Sequence, residues 1–117
     1  MVGSQQNHET VTTTFELLAH HRRRHALQCL REHDTPMALA DLADEVAVRE
    51  YDAALPDIDA EDVTRVYLSL YHTHVPKLAD ADCVRYSQAQ DSVTLRASSA
   101  AFEGLRPYLE SNPQFVT

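Results

Sequence analysis

The stretch from Asp59 to Leu78 restricts the fold more than any other. Val63, Val66, Tyr67, Leu70, His74 and Leu78 recur at steps of three and four, the spacing that lines up side chains on one face of an α-helix. Asp59 stands where an N-cap belongs, with a carboxylate that can accept from the free N–H groups of the first turn. Glu61 and Asp62 follow, where negative charge suits the helix dipole. Glu61, Arg65, Leu68, Ser69 and His72 fall on the opposite face. Pro76 has no N–H for the carbonyl of His72, so the helix is expected to kink or end near it.

Upstream, a first helix is predicted from about Val11 to Glu32. Phe15, Leu18, Ala19, Ala26, Cys29 and Leu30 share one face. Arg22 falls inside that apolar stripe, which predicts a structural arginine that snorkels or pairs with an acid of a neighbouring helix. Leu17 and Leu27 lie off the stripe and are candidates for self-association. His33 to Pro36 reads as a turn and Pro36 to Ala38 as a short strand. A second helix then spans roughly Leu39 to Glu50, burying Leu39, Leu42, Ala43, Val46 and Ala47. No Ser, Thr or Asp stands at its N-cap near Ala38, an omission worth about 1 kcal/mol. Tyr51 to Ile58 is an acidic connection containing Pro56, longer than the tightest helix-turn-helix link.

Downstream, Ala79 to Asp82 closes the long helix. Cys83–Tyr86 and Ser92–Arg96 alternate as strands do. Val84, Tyr86, Val93 and Leu95 are predicted to face the core, and Arg85, Thr94 and Arg96 to face outward. Ser87 to Asp91 forms the polar tip. Ser98 or Ser99 can cap a last helix reaching about Glu110, bent by Pro107, with Phe102, Leu105 and Leu109 on one face as further dimer candidates. Helix, short strand, helix, helix, hairpin and helix make a mainly α chain with a small β-hairpin: a winged helix-turn-helix. The expected division is a flexible tail over 1–13, the winged-helix domain over 14–97, and a C-terminal helix and tail over 98–117.

Composition limits the function classes. The chain has 117 residues, 44% of them hydrophobic, which suits one globular domain. Two glycines leave little material for a phosphate-cradling loop, and there is no nucleophile motif, so no enzyme activity is expected. No apolar run is long enough to cross a membrane, and residues 1–13 lack the core of a signal peptide, so a cytoplasmic location is expected. Cys29 and Cys83 make no disulfide framework and read as small buried hydrophobes. The net charge of −8 is concentrated: nine acids and one base (Arg49) lie between Asp41 and Asp62, and the remainder balances. An acidic surface with Lys77 as the single lysine fits a protein adapted to concentrated salt.

Three segments carry a resemblance: Phe15 to Leu30, Leu39 to Glu50, and Val66 to Tyr86. The run Leu70-Tyr-His-Thr-His-Val-Pro-Lys-Leu78 is its most specific part. With the hairpin they cover about Phe15 to Leu95, and this region resembles a family of small winged-helix proteins of haloarchaea. The resemblance implies the winged-helix fold and a role in transcription regulation. Where that family usually has a glycine before the hairpin, this chain has Asp82, which implies a tighter or strained turn.

Double-stranded DNA is the partner that reading implies, bound by a homodimer. Thr64, Arg65, Leu68, Ser69 and His72 would reach base edges in the major groove, Arg65 taking guanine and Thr64 and Leu68 a thymine methyl. Arg85 and Arg96 would hold phosphates, with Gln88 and Gln90 near the minor groove and Arg23 and Arg24 adding backbone contacts. Asp41, Asp44, Glu45, Asp59, Glu61 and Asp62 oppose phosphate, which sustains an alternative: a winged-helix interaction module whose acidic face meets a protein partner. A metal site is not expected, and neither is any other cofactor. His72 and His74 point apart, arginines surround His21 and His25, and Cys29, which continues that line, is better read as core.

Overall fold

The computed structural model describes residues 14–111 apart from Thr35. The expected tail at 1–13, the first residues of the expected first helix, and 112–117 lie outside the described residues. A short helical segment over 14–18 leads to α1 (His21–His33). Then follow β1 (Met37–Ala38), α2 (Leu39–Tyr51), a 3-10 turn (Leu55–Asp57) and α3 (Ala60–Ser69). A π turn (Leu70–His74) joins α3 to α4 (Val75–Asp80), and β2 (Val84–Ser87), β3 (Ser92–Leu95) and α5 (Ala100–Ser111) complete the chain. β3 lies between β1 and β2 in an antiparallel sheet, with Met37 opposite Val93 and Tyr86 opposite Val93 on the other side. The fold is mainly helical with a small sheet, a winged helix-turn-helix, as the hydrophobic pattern predicted.

The first helix is not continuous. Its periodicity runs through Ala19 and His20, but the chain turns there, and the His20 ring accepts from the Arg22 N–H at 3.2 Å as the cap of α1. The break leaves carbonyls at the end of the 14–18 segment short of helical donors, with Ala19 N–H reaching the Glu16 carbonyl at 3.3 Å. Arg23 supplies them: its Nε bonds the Leu17 carbonyl at 2.9 Å and its Nη2 the Glu16 carbonyl at 2.7 Å. Arg24 does the same for the Leu18 carbonyl.

The run predicted from Asp59 to Leu78 is present, but it is not an unbroken α-helix. Val75 N–H bonds the carbonyl of Leu70, five residues back. This wider turn sits just before Pro76, whose ring would collide with the His72 carbonyl in a regular α turn. Asp59 occupies the N-cap position, but its carbonyl, not its carboxylate, receives Asp62 and Val63 N–H. The uncapped start of α2 finds a substitute: Leu39 N–H bonds the carbonyl of Asp91 at 3.1 Å, so the hairpin end closes the helix end.

Four described residues adopt positive φ, and all are aspartates: Asp34, Asp52, Asp82 and Asp91. The first two end α1 and α2. Asp82, at φ 68°, ends α4, with Cys83 N–H bonded to the Leu78 carbonyl at 2.9 Å. Asp tolerates this region better than most residues, since its short polar side chain bonds locally.

Leu27, Leu30, Leu42, Val46, Val66, Leu70, Leu78, Val93, Phe102 and Leu105 are fully buried in one core. This corrects the assignment of a dimer surface. Leu17, Leu27, Phe102, Leu105 and Leu109 are each at most 4% exposed within a single chain. α5 lies on α1, tied by Gln28 Nε2 to the Leu109 carbonyl at 2.9 Å and by Arg31 to Glu110 at 3.0 Å. The apolar face of α5 therefore completes the protomer's own core. Ser99 caps α5, its hydroxyl accepting from Phe102 N–H at 3.1 Å.

Candidate nucleic-acid interface

The inward side of α3 and of the π turn buries Val66, Leu70 and His74. Its outward side leaves Thr64, Arg65, Leu68 and His72 in solvent. Leu68 is 45% exposed, an uncovered aliphatic group between polar neighbours. Arg65 bonds Asp62 at 2.7 Å one turn back. That exposed pair is worth little and leaves the guanidinium free to exchange partners.

Ser69 does not belong with this set. It is half-buried, donates to the Val66 carbonyl at 3.2 Å and accepts from Arg22 Nη1 at 2.8 Å. Arg22 also holds both carboxylate oxygens of Glu50, at 2.6 and 2.9 Å, so one guanidinium joins α1, α2 and α3. His21 adds a contact to Glu50 at 2.6 Å. Burial pushes the Glu50 carboxyl up, but the bonds from Arg22 and His21 outweigh it and hold it below the usual range. The pairing of Arg22 with an acid was expected; its bond to Ser69 was not.

Arg23 is likewise withdrawn from DNA, while Arg24, half-buried, gives its Nη1 to the Leu18 carbonyl. Arg23 is buried, and besides its two carbonyls its Nη1 lies 3.2 Å from His74 Nδ1. The His20 ring packs 4.3 Å from that of His74. Burial, with His20, Arg23 and Arg22 nearby, pushes the His74 pKa down to about 4. Neutral His74 is the core histidine the helical pattern suggested.

The hairpin stands beside the π turn. The Tyr86 ring meets that of Tyr71 edge-on at 6.3 Å, and Tyr71 stacks on Tyr67 at 6.4 Å. Val84 and Val93 are buried, and Tyr86 and Leu95 pack against the core, as the alternation predicted. Arg85 points to solvent, and Gln88 and Gln90 are exposed at the tip. The tip is braced by Tyr86 Oη donating to Asp91 at 2.8 Å. Arg96 is only half-exposed and is already paired with Asp82. Of the two hairpin arginines expected to hold phosphates, Arg96 is thus engaged, while Arg85 has no ion-pair partner among the described residues.

The carboxylates divide in two. Glu50 is bound to Arg22, Glu45 lies 2.6 Å from His33, and Asp62 holds Arg65. Asp41, Asp57, Asp59 and Glu61 are exposed and carry no ion pair among the described residues. No group of three or more His, Cys, Asp or Glu among the described residues is placed to hold a metal ion. Burial raises the Cys29 and Cys83 thiols to about 12 and about 11, so both stay protonated and unreactive at neutral pH. No described helix is long and apolar enough to cross a membrane.

A helix with a free outer face, flanked by a hairpin, defines the class as winged-helix. The chain belongs to the family described as Domain of unknown function (DUF7344), which matches residues 15–94. No curated protein and no solved structure matches the chain.

Proposed function

We propose that the protein is a cytoplasmic, homodimeric DNA-binding transcription regulator of a halophilic archaeon. The observation that carries this reading is the outer face of α3: Thr64, Arg65, Leu68 and His72 are exposed and do nothing for the core. In the major groove, Arg65 exchanges Asp62 for guanine, and Thr64 and Leu68 meet a thymine methyl. Arg85 holds a phosphate, and Gln88 and Gln90 approach the minor groove. The dimer acts sterically, occupying paired half-sites in a promoter. In molar salt counterion release contributes little, so direct base contacts carry most of the affinity. The test is capture of sheared genomic DNA in molar KCl, wild type against Arg65→Ala. A shared two-fold motif, lost in the variant, supports base reading by α3. Enrichment that survives the change moves recognition to the hairpin. No enrichment from folded protein rejects DNA binding.

A specific observation also favours a protein-interaction module. Asp57, Asp59 and Glu61 are exposed around the N-terminal end of α3, the end that would meet phosphates. An acidic face of this kind suits a basic protein partner.

A further inference from the structure

Half of the large apolar side chains exposed among the described residues fall between positions 48 and 55. Val48, Tyr51 and Leu55 are 36%, 41% and 38% exposed. They lie within the segment that holds the whole net charge of −8. Adaptation to salt accounts for carboxylates on a surface, but it gives no reason to leave aromatic and aliphatic groups among them. Grouped exposed apolar side chains rimmed by polar ones mark interaction sites.

Tyr51 and Ile58 contribute apolar lining to a shallow depression of about 220 Å3, completed by Ala53, Asp57, Asp59 and Asp62. Asp62 is engaged by Arg65, while Asp57 and Asp59 are exposed with no ion pair among the described residues. We propose that this α2–α3 connection docks a segment of another protein bearing an arginine flanked by apolar side chains. The inference rests on the protein-interaction reading above and is independent of DNA binding.

The chemistry selects that occupant. A guanidinium lies flat on a tyrosine ring and bonds carboxylates in a planar fork, so Tyr51 with Asp57 or Asp59 suits arginine better than lysine. The apolar flanks cover Val48 and Leu55. They are needed because concentrated salt screens the charge pairing and leaves apolar contact in force. A second copy meeting this segment with its own does not fit, since residues 51–59 bring carboxylates and no arginine. Nucleic acid is refused for the same reason.

The test is amide chemical-shift mapping on the full-length labelled protein, titrated with synthetic peptides at low salt and in molar KCl. One peptide alternates Arg and Leu, a second replaces Leu by Ser, and a third replaces Arg by Glu. The expected result is that only the Arg/Leu peptide binds in molar KCl. Its shifts should centre on residues 51–59, and Tyr51→Ser should weaken it at least about fivefold with the fold unchanged by circular dichroism. Binding with shifts centred on Asp41 or Glu61, or unaffected by Tyr51→Ser, keeps an acidic protein-binding face and overturns this docking site. Absence of binding by any peptide overturns the site and the protein-interaction reading together.

Discussion

The arginine-rich first turn of α1 and the acidic segment leading into α3 handle charge in opposite ways. At the first, Arg22, Arg23 and Arg24 follow one another, and each guanidinium is held by specific acceptors: Glu50 and Ser69, the Glu16 and Leu17 carbonyls, and the Leu18 carbonyl. At the second, Asp57, Asp59 and Glu61 face water and bind nothing charged among the described residues. A basic run that looks like a phosphate contact is thus internal scaffolding, and of these two regions the one left with available charge is the acidic one. Charge counted along a chain therefore says little about a surface until the partners of each group are known.

Removing Glu50 is the strongest way to break the contrast. Glu50→Ala leaves Arg22 without its carboxylate in a partly buried site, and is expected to destabilise the fold by about 2–3 kcal/mol. Urea unfolding in molar KCl measures this. A loss below a few tenths would mean that the arginine turn is as dispensable as the acidic face.

Acid should loosen the same region. The His74 pKa is depressed to about 4, below its ordinary value of 6.5, so the folded state holds the ring neutral. The stability it contributes is complete above pH 6.5 and is lost as pH falls from there toward 4. After allowance for partial solvation the loss is on the order of 2 kcal/mol. Comparing unfolding midpoints at pH 7 and 4.5, His74→Gln should show a smaller drop than wild type; an equal drop would clear His74 of the effect.

The acidic side should respond to salt instead. Replacing Asp57, Asp59 and Glu61 together by their amides should raise the melting temperature in dilute buffer by no more than about 5 °C. In molar KCl the change should vanish. A gain that persists there would point to local backbone effects and away from repulsion. Smallest of all, Asp52→Gly should stabilise by about 0.5–1 kcal/mol, because glycine accepts the left-handed conformation without steric cost. A loss would show that the Asp52 carboxylate makes a compensating contact.

What was legible in the chain was whatever depends on local period. The buried face of the Asp59–Leu78 run, the inward residues of the hairpin and the missing cap of α2 all follow from spacing and residue type. The break at His20 did not, because the apolar stripe from Phe15 through Leu18 to Ala26 keeps helical phase across it. Arg22 was marked as needing an acid, but Glu50 lies 28 positions away, and no local rule names it. The dimer assignment failed for a related reason. Phe102, Leu105 and Leu109 announce an apolar face, and nothing in their spacing says whether α1 or another chain covers it. The outer residues Thr64, Arg65, Leu68 and His72 were readable as exposed. Ser69 was lost from that set through the distant Arg22.

The wide turn at Leu70–His74 makes the molecule's geometry stepwise. It holds one residue more than an α turn, so the portion beyond it is set about 100° out of phase with α3. With Pro76 also replaced, so that no ring meets the carbonyl four residues back, deleting one residue there would restore regular winding and swing Lys77 and the entry to β2 around the axis in a single jump. The angle between the outer face of α3 and the hairpin is therefore counted in whole residues. A change of chain length at this one place could re-aim the hairpin while leaving every side chain on α3 where it was.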